Sequence, residues 1–196
     1  MPPEWLLQRL SREAIVADVG CGYGRILQDL ANRGFVNLHG CDMSTDAIAE
    51  AAVQVPAAQV VRGYSNCLPW PTSFADLVLC MAVLSYSTSE DEATRVAAEI
   101  GRVVRPGGFL YLTDFVQSTT PQWLWRYARE IRSRGWGVFE TPGGPVKHRR
   151  AGVILGHFAN GWRKLEMQVT PFRTWSGQSH PGVVLILQKE GDPLDT

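Results

Sequence analysis

A glycine-dense segment, DVGCGYGR at residues 18–25, is where residue types and spacing point most directly to chemistry. An apolar run leads into it, and a stretch with apolar residues at helical spacing follows it. A strand, a tight turn and a helix N-terminus in this order form a binding site for the polar part of a nucleotide-like ligand. Glycine suits such a turn because it permits positive φ and puts no Cβ in the ligand's path. We therefore predict a ligand-binding turn at Gly20, Gly22 and Gly24.

A second acid, Asp42, ends the next apolar run, 22 residues after Gly20. A carboxylate at the end of a second strand can accept hydrogen bonds from both hydroxyls of a ribose. The glycine spacing departs from the dinucleotide fingerprint, because Arg25 stands where that fingerprint has its third glycine. The turn and the acid together favour a nucleotide-like ligand and count against a nicotinamide dehydrogenase.

With two downstream segments, these residues resemble the class I S-adenosylmethionine-dependent methyltransferase family. The segment at 67–79 (CLPWPTSFADLVL) resembles the family's approach to its fourth strand. The segment at 102–110 (RVVRPGGFL) resembles the turn from a helix into the fifth strand. The matches follow the family's order across roughly residues 14–115. The resemblance implies S-adenosyl-L-methionine as the cofactor and leaves the methyl acceptor open.

The resemblance also implies roles for individual residues. The glycine turn would bind the methionine portion of the cofactor, and Asp18 would help to orient it. Asp42 would hold the ribose, and Met43 would lie beside the adenine. The family often has an acid near position 64 that contacts the adenine; here Tyr64 stands there, and Asn66 or a backbone group is expected to replace it. The residues predicted to bind the cofactor are Asp18, Gly20, Cys21, Gly22, Gly24, Asp42, Met43, Ser65, Asn66 and Met81.

The sequence announces no general base, which methyl transfer needs only when the acceptor must lose a proton. Tyr86 follows the fourth predicted strand, where relatives often place acceptor-side residues. His157, in Gly-His-Phe, resembles a His-Phe pair that some relatives carry before their C-terminal strands. These two residues are the catalytic candidates. The alternatives are a packed loop tyrosine and a histidine bonded to backbone.

Other polar and aromatic residues have two interpretations each. Asp114, at a strand end, and His180, in a hairpin turn, are weaker acceptor-side candidates, and the alternative for Asp114 is a strand-end carboxylate bonded to the next turn. The basic segment KHRR at 147–150 is interpreted as a solvated loop, or as a gate or acidic-acceptor contact. A group of three tryptophans is expected to line an apolar pocket, to fill core or to form a dimer face: Trp123, Trp125 and Trp136.

Apolar runs and helical periodicities alternate along the chain, which predicts an α/β fold with a doubly wound sheet. Strands are predicted at 14–19, 37–41, 59–62, 75–81, 109–115, 164–170 and 183–189. Helices are predicted at 2–10, 22–33 and 45–53, over 93–104 and from 120 to before Gly135, with a loop at 138–152 and a turn at 175–182. The last two strands have no helix between them and should pair as an antiparallel hairpin. The expected architecture is a seven-stranded, mostly parallel, Rossmann-like methyltransferase sheet, with the ligand crevice at the carboxyl ends of its strands.

The chain of 196 residues is expected to form one domain, 1–196, with a short N-terminal helix in place of a full lid. A formal net charge of zero counts against nucleic acid or an anionic membrane as partner and favours a small-molecule acceptor. The four cysteines form no Cys-x-x-Cys pair, so we expect reduced thiols, no metal site and a cytoplasmic protein. No secretory signal and no membrane span are expected, and a homodimer stays open.

The function predicted from these residues is methyl transfer from S-adenosylmethionine to an oxygen, nitrogen or carbon atom of a small molecule. Two alternatives stay open. One is a methyltransferase that acts on tRNA or protein, against which the neutral charge counts. The other is a cofactor-binding partner subunit without transfer activity, since neither a lid nor a base is evident.

Overall fold

The computed structural model describes residues 1–173 and 179–191. Within them the strands are β1 Ile15–Val19, β2 Asn37–Asp42, β3 Ala58–Arg62, β4 Ala75–Met81, β5 Val104–Phe115, β6 Val138–Thr141, β7 Gly144–Lys147, β8 Trp162–Arg173 and β9 Ser179–Lys189. The helices are α1 Glu4–Leu7, α2 Arg25–Asn32, α3 Thr45–Gln54, α4 Glu90–Val103, α5 Pro121–Arg134 and α6 Ala151–Gly156. A single 3-10 turn, Leu84–Tyr86, follows β4. No helix in this part of the chain is long and apolar enough to cross a membrane.

Seven strands form one sheet in the order β3-β2-β1-β4-β5-β9-β8. The pairs among β1 to β5 are parallel, whereas β9 runs antiparallel to both β5 and β8. The predicted fold class, a doubly wound and mostly parallel sheet with a C-terminal antiparallel hairpin, is confirmed. The carboxyl ends of the parallel strands therefore meet at one edge, called the carboxyl edge below.

Apolar side chains cover both faces of the central strands. In β4, Leu77 and Leu79 pack with α1 and α2, while Val78 and Cys80 pack with α4 on the opposite face. Burial on both faces explains why β4 is an almost unbroken apolar run, as expected for a central parallel strand. The helices around it begin at the carboxyl edge, where their N-termini face the crevice.

Local capping fixes where these helices begin. The Ser44 hydroxyl accepts a hydrogen bond from Ala47 N at 3.2 Å, which confirms Ser44 as the N-cap of α3. The Ser89 hydroxyl caps α4 in the same way, accepting from Glu92 N at 3.1 Å. The first turn of α4 is acidic and includes Glu90, a favourable charge at a helix N-terminus.

The predicted loop at 138–152 is wrong. Residues Val138–Thr141 and Gly144–Lys147 pair as a two-stranded antiparallel hairpin, and α6 begins at Ala151. The hairpin forms because Phe139 and Val146 are buried against Trp123 and Tyr127 of α5. We call α5 together with this hairpin, residues 121–147, the cap.

The C-terminal hairpin is longer than predicted. β8 and β9 pair as far as Phe172 with His180 and Arg173 with Ser179, beyond the last residue of β5. Gly182 permits this extension, because an added Cβ would lie 2.1 Å from the Phe172 ring. Residues 179–182 of the predicted turn are thus strand, while 175–178 lie outside the described residues.

The N-terminal helix, in contrast, is shorter than predicted and forms a single turn at Glu4–Leu7. Leu6 and Leu7 are buried beside Leu27 and Leu30 of α2, and Glu4 forms an ion pair with Arg33 at 2.8 Å. The segment therefore packs on the α2 face of the sheet.

Candidate active site

The turn between β1 and α2 holds three glycines in left-handed conformations. The φ angles are +69° at Gly20, +52° at Gly22 and +79° at Gly24. The amides of Gly20 and Cys21 both donate to the Cys41 carbonyl, at 2.8 and 3.0 Å, which ties the turn to the end of β2. An added Cβ at Gly22 would meet nothing within 4 Å. At Gly22 the turn therefore presents bare backbone toward open space, as a cofactor cradle requires.

Asp42 joins the ends of β1 and β2. Its Oδ2 accepts a hydrogen bond from Gly22 N at 2.9 Å, and its Oδ1 accepts one from Ser44 N at 2.9 Å. A carboxylate has about four acceptor positions, so further donors can still bind it. The structure thus brings together two of the predicted cofactor residues, Gly22 and Asp42.

Asp18 lies beneath this turn at the end of β1 and is only 3% exposed. Burial raises the pKa of its carboxyl to about 7, the Asp42 charge adds to the rise, and Arg25 opposes it. Two acids close together at one strand edge create an electronegative site. Such a site favours a cationic ligand group, such as an ammonium or a sulfonium.

The residues predicted near the adenine lie on the β2–β3 side of the edge. Met43 and Tyr64 are largely exposed, and Arg62 links them by donating to the Met43 carbonyl at 3.3 Å and to the Tyr64 hydroxyl at 3.2 Å. Ser65 and Asn66 form the tight turn in which Cys67 N donates to Tyr64 O at 3.0 Å. All these predicted residues therefore lie near one another beyond the strand ends.

The segment after β4 faces the glycine turn. An added Cβ at Gly20 would lie 2.7 Å from Cγ2 of Val83, so this glycine and Val83 are in close contact. Ala82 has a φ of +56°, a conformation costing about 1–2 kcal/mol for a non-glycine residue. Its amide donates to the Thr113 carbonyl at 2.7 Å, which holds that conformation. Met81 is half-buried just before it, at the position predicted to contact the cofactor.

Asp114, at the end of β5, is engaged by backbone. It is 2% exposed and accepts hydrogen bonds from Ser85 N at 3.0 Å and from Phe115 N at 2.7 Å. Burial raises its pKa to about 6 against the effect of these hydrogen bonds. The carboxyl therefore fixes the 3-10 turn after β4, the alternative considered for it from sequence.

The two catalytic candidates lie in different surroundings. Tyr86 is 54% exposed, and an added Cβ at Gly143 would lie 3.1 Å from its hydroxyl, so the turn of the cap lies against it. His157 is almost covered, with Nε2 3.1 Å from Glu90 Oε2 and Nδ1 3.2 Å from Thr94 Oγ1. Both ring nitrogens of His157 are thus occupied by α4, whereas the Tyr86 hydroxyl lies between the carboxyl edge and the cap.

The interpretation of residues 147–150 as a solvated loop is wrong for three of the four. Lys147 Nζ lies 2.7 Å from Glu90 Oε1. Arg149 is 3% exposed and donates to the carbonyls of Leu84 at 2.8 Å and Ser87 at 2.6 Å, as well as to Glu90. Burial alone would raise the pKa of Glu90, but hydrogen bonds from Lys147 and Arg149 outweigh burial and hold it at about 2. This cluster fastens the cap to the start of α4.

Beneath the cap lies an aromatic cluster at the ends of β5 and β9. The His148 ring accepts or donates one hydrogen bond at Nδ1 with the Tyr127 hydroxyl, at 3.0 Å. Burial lowers the pKa of His148 to about 3, with His180 and Arg126 adding to the effect. The His180 ring lies 4.3 Å from Trp123 between centroids, and its Nδ1 has no hydrogen-bond partner among the described residues.

The predicted tryptophan group is divided by the structure. Trp123 is 9% exposed and belongs to the aromatic cluster, whereas Trp125 is 65% exposed on the opposite face of α5. Trp136 is 42% exposed and packs edge-on against Tyr127. Only Trp123 can therefore line an interior wall.

Glu90 is not recognisable from sequence as a residue that shapes the site, and Arg149 is noticed only as part of the basic segment 147–150. The hairpin had one weak signal, the Pro-Gly-Gly sequence at 142–144, which is typical of a turn. Glu90 and Arg149 had none, because they are 59 residues apart and each is an ordinary charged residue in its own segment.

All four cysteines are free; Cys21, Cys41 and Cys80 are buried, and Cys67 is exposed. In the described part of the chain, no three His, Cys, Asp or Glu side chains are close enough to hold a metal ion.

The family model and the relatives that match this sequence are methyltransferases. A family model described as a methyltransferase domain matches residues 17–112. The chain is 32% identical over 127 residues to a 27-O-demethylrifamycin SV methyltransferase of Amycolatopsis mediterranei, a match covering 62% of this chain and 46% of that protein. It is 31% identical over 110 residues to a tRNA (carboxymethyluridine(34)-5-O)-methyltransferase of Arabidopsis thaliana, covering 55% of this chain and 25% of that protein. The chain thus spans between a quarter and about half of these relatives' lengths.

The fold likeness extends over almost the whole chain. A solved SAM-dependent methyltransferase structure from Methanosarcina mazei superimposes with a TM-score of 0.89, over 97% of this chain and 99% of that one. The two sequences are 22% identical, so this likeness concerns the fold alone.

Proposed function

Because the chain belongs to the class I S-adenosylmethionine-dependent methyltransferase family, we propose that it transfers a methyl group from this cofactor to a small-molecule acceptor. The observation that carries the proposal is the pairing of Gly22 with Asp42 above the buried acid Asp18. The open space beside Gly22 and the electronegative strand edge fit a cofactor with a ribose and a cationic end. S-adenosylmethionine, when bound, supplies a methyl group already activated on a sulfonium.

The residues of the chain would then bind and orient the cofactor and shield the reaction from water. The glycine turn would take the amino-acid end of the cofactor, Asp42 its ribose hydroxyls, and Met43 one face of its adenine. Met81 and Val83 would hold the acceptor side of the cleft opposite Gly20, with which Val83 is in close contact. Orientation of this kind can contribute roughly 7–11 kcal/mol to lowering a barrier at its limit.

The cap supports a small molecule as the acceptor. Its inner aromatic side chains and the neutral ring of His148 form an apolar wall at the ends of β5 and β9. We assign the Tyr86 hydroxyl, beneath the cap turn, as the acceptor contact among the two catalytic candidates. His157 instead becomes a positioning residue, since both of its nitrogens are occupied by α4.

A cytoplasmic location is part of the same proposal. Cys21, Cys41 and Cys80 are buried and unpaired, which suits a reducing compartment.

Binding of S-adenosylhomocysteine, measured by calorimetry, tests the cofactor site. We expect Asp42→Ala to weaken binding by roughly tenfold or more, because charge-assisted hydrogen bonds contribute about 1.5–3 kcal/mol each. Asp46→Ala, which removes an exposed acid in the first turn of α3, is the matched control and should leave binding unchanged. Thermal melts establish that both variants fold. Unchanged affinity in a folded Asp42→Ala variant would refute the site.

Transfer of a radiolabelled methyl group tests the acceptor class. The protein is incubated with labelled S-adenosylmethionine and either a small-molecule cell extract or total tRNA. Label in small molecules supports the proposal. Label in tRNA, lost as salt is raised, would instead favour a nucleic-acid acceptor. Cofactor binding without transfer to either pool would favour a non-catalytic partner subunit.

A further inference from the structure

Helix α5 exposes an apolar stripe on the outside of the cap. Leu124, Ala128 and Ile131 follow one another at i, i+4 and i+7, the spacing by which a helix normally presents its buried face. Yet Leu124 is 39% exposed and Ile131 45% exposed. The face that α5 buries is a different one, carrying Trp123 and Tyr127. The exposed stripe therefore has no covering element in the described structure.

A tryptophan and a set of arginines flank the stripe. Trp125 is 65% exposed, and the Arg129 guanidinium lies over its ring at 5.4 Å. Of the four arginines of α5, Arg126 lies over the Trp123 and Phe139 rings and Arg134 pairs with Glu140 at 2.7 Å, so Arg129 and Arg132 are the arginines of the outer face. Glu130 pairs with Arg129 at 3.3 Å and with Arg134 at 3.7 Å, while Arg132 forms no ion pair within the described residues. The outer surface of α5 is thus both apolar and cationic.

A neutral protein can carry such a surface. The chain has a formal net charge of zero, from which we expected no membrane partner. At physiological salt, however, exposed charges are screened beyond about 8 Å, so a docking surface is governed by the charges within it. On α5 these charges are predominantly positive.

We propose that the outer face of α5 docks the protein onto an anionic lipid surface. In this arrangement Leu124, Ile131 and the Trp125 ring enter the boundary between headgroups and acyl chains, and the arginines contact lipid phosphates. The helix lies in the plane of the bilayer and does not cross it. Its 14 residues would then contact the surface along roughly 21 Å.

Two other occupants fit the observations less well. A second copy of the chain, docked through the same face, would bring two sets of arginines together, and like charges across an interface are unfavourable. A nucleic acid would bind the arginines and stack on Trp125, but it would leave the aliphatic stripe against phosphates and water. Only a lipid surface uses both halves of the face.

Co-sedimentation of the whole protein with vesicles tests this, without cofactor, so the result does not depend on methyl transfer. We expect binding to vesicles of phosphatidylcholine and phosphatidylglycerol at about three to one, and at least about tenfold weaker binding to phosphatidylcholine alone. Raising the salt should weaken the binding, because part of the attraction is electrostatic.

Surface variants make the test specific. Trp125→Ala with Ile131→Ser, and separately Arg129→Glu with Arg132→Glu, should each lower binding by roughly tenfold or more, since each removes one half of the face. The matched control is Trp5→Ala with Arg9→Glu, which removes a second exposed tryptophan–arginine stack, 5.3 Å apart, near the N-terminus. That control should bind vesicles like the wild type.

Three outcomes would overturn the proposal. The first is equal binding to neutral and anionic vesicles, or to neither. The second is a dimer by analytical ultracentrifugation that Ile131→Ser disrupts, which would assign the face to a second copy. The third is tRNA binding that Arg132→Glu abolishes and Ile131→Ser leaves intact, with no vesicle binding, which would assign it to nucleic acid.

Discussion

The fold changes the acid–base chemistry of Asp18 at the candidate site. Its side chain lies under the glycine turn, and burial raises its pKa from the usual 3.8 to about 7, with Asp42 adding to the rise. Near neutral pH the carboxyl is therefore part protonated. A cationic ligand group at the strand edge would favour the ionised form, so cofactor binding should release a proton.

Asp18 should make the stability of the protein depend on pH. The unfolded chain loses this proton near pH 3.8, whereas the folded protein keeps it until about pH 7. The contribution of protonated Asp18 to the free energy of unfolding is thus fully present below pH 3.8 and is lost as the pH rises toward about 7. Relative to Asp18→Asn, the free energy of unfolding of the wild type should fall by up to about 1.4 kcal/mol per pH unit across this window. Urea unfolding of both proteins at several pH values between 3.8 and about 7 measures this difference.

The comparison isolates Asp18 because other shifted groups are common to both proteins. Glu90 titrates well below this window and Asp114 near pH 6 in each of them. Asp46→Asn, at an exposed acid, is the control and should show a constant difference from the wild type. A constant difference for Asp18→Asn as well would contradict the assignment.

Residues of the cofactor turn could be predicted from sequence, and those under the cap could not. Gly22 and Asp42 were recognisable because a strand, a glycine turn and a strand-end acid repeat a known arrangement, and the structure joins them by a hydrogen bond. The role of Arg149 depends on carbonyls more than 60 residues earlier in the chain. Every residue has a backbone carbonyl, so no sequence pattern identifies the carbonyls that Arg149 binds.

At the scale of elements, the strands and helices of the sheet follow the periodicity of the sequence closely. The bounds of β4 were predicted to the residue, since a two-sided apolar run flanked by polar turns has few alternatives. The sequence predicts a loop at the cap hairpin because glycine, proline and basic residues outnumber its apolar ones. Its strands are stable only against Trp123 and Tyr127, and that tertiary contact is invisible in a local pattern.

Arg149 is expected to be the main attachment of the cap to the sheet. Arg149→Met would leave the carbonyls of Leu84 and Ser87 without their donor, while the Glu90 carboxylate would keep Lys147 and His157 as partners. Leaving two buried carbonyls unsatisfied costs about 1–3 kcal/mol each, which urea unfolding would detect. Arg150→Met, at the exposed neighbouring arginine, is the matched control and should change stability by less than about 0.5 kcal/mol. Equal effects in the two variants would show that the attachment lies elsewhere.

At the scale of the whole molecule, the sheet joins the two ends of the chain. β9 pairs with β5 on one side and β8 on the other, so the C-terminal hairpin completes the sheet that the N-terminal half begins. The N-terminus also contacts the middle of the sheet, since the Tyr111 hydroxyl in β5 donates to the Met1 carbonyl at 2.8 Å. We therefore propose that the chain is one cooperative domain.

Scanning calorimetry tests this cooperativity. A single transition is expected, with an enthalpy of roughly 140 kcal/mol near 60 °C for a chain of 196 residues. The calorimetric and van't Hoff enthalpies should agree. A separate early transition, absent from a variant without residues 121–147, would mean that the cap unfolds independently of the sheet.

The attachment of Lys147 and Arg149 to Glu90 affects how a ligand can reach the space beneath the cap. That end of the cap is tied to α4 by charged side chains that pair with one another, so it resists displacement from the sheet. A molecule seated beneath Trp123 and His148 would then enter and leave more easily along α5, which takes no part in this ion-pair cluster. Entry of the acceptor and contact with a lipid surface would then both involve the same helix, α5.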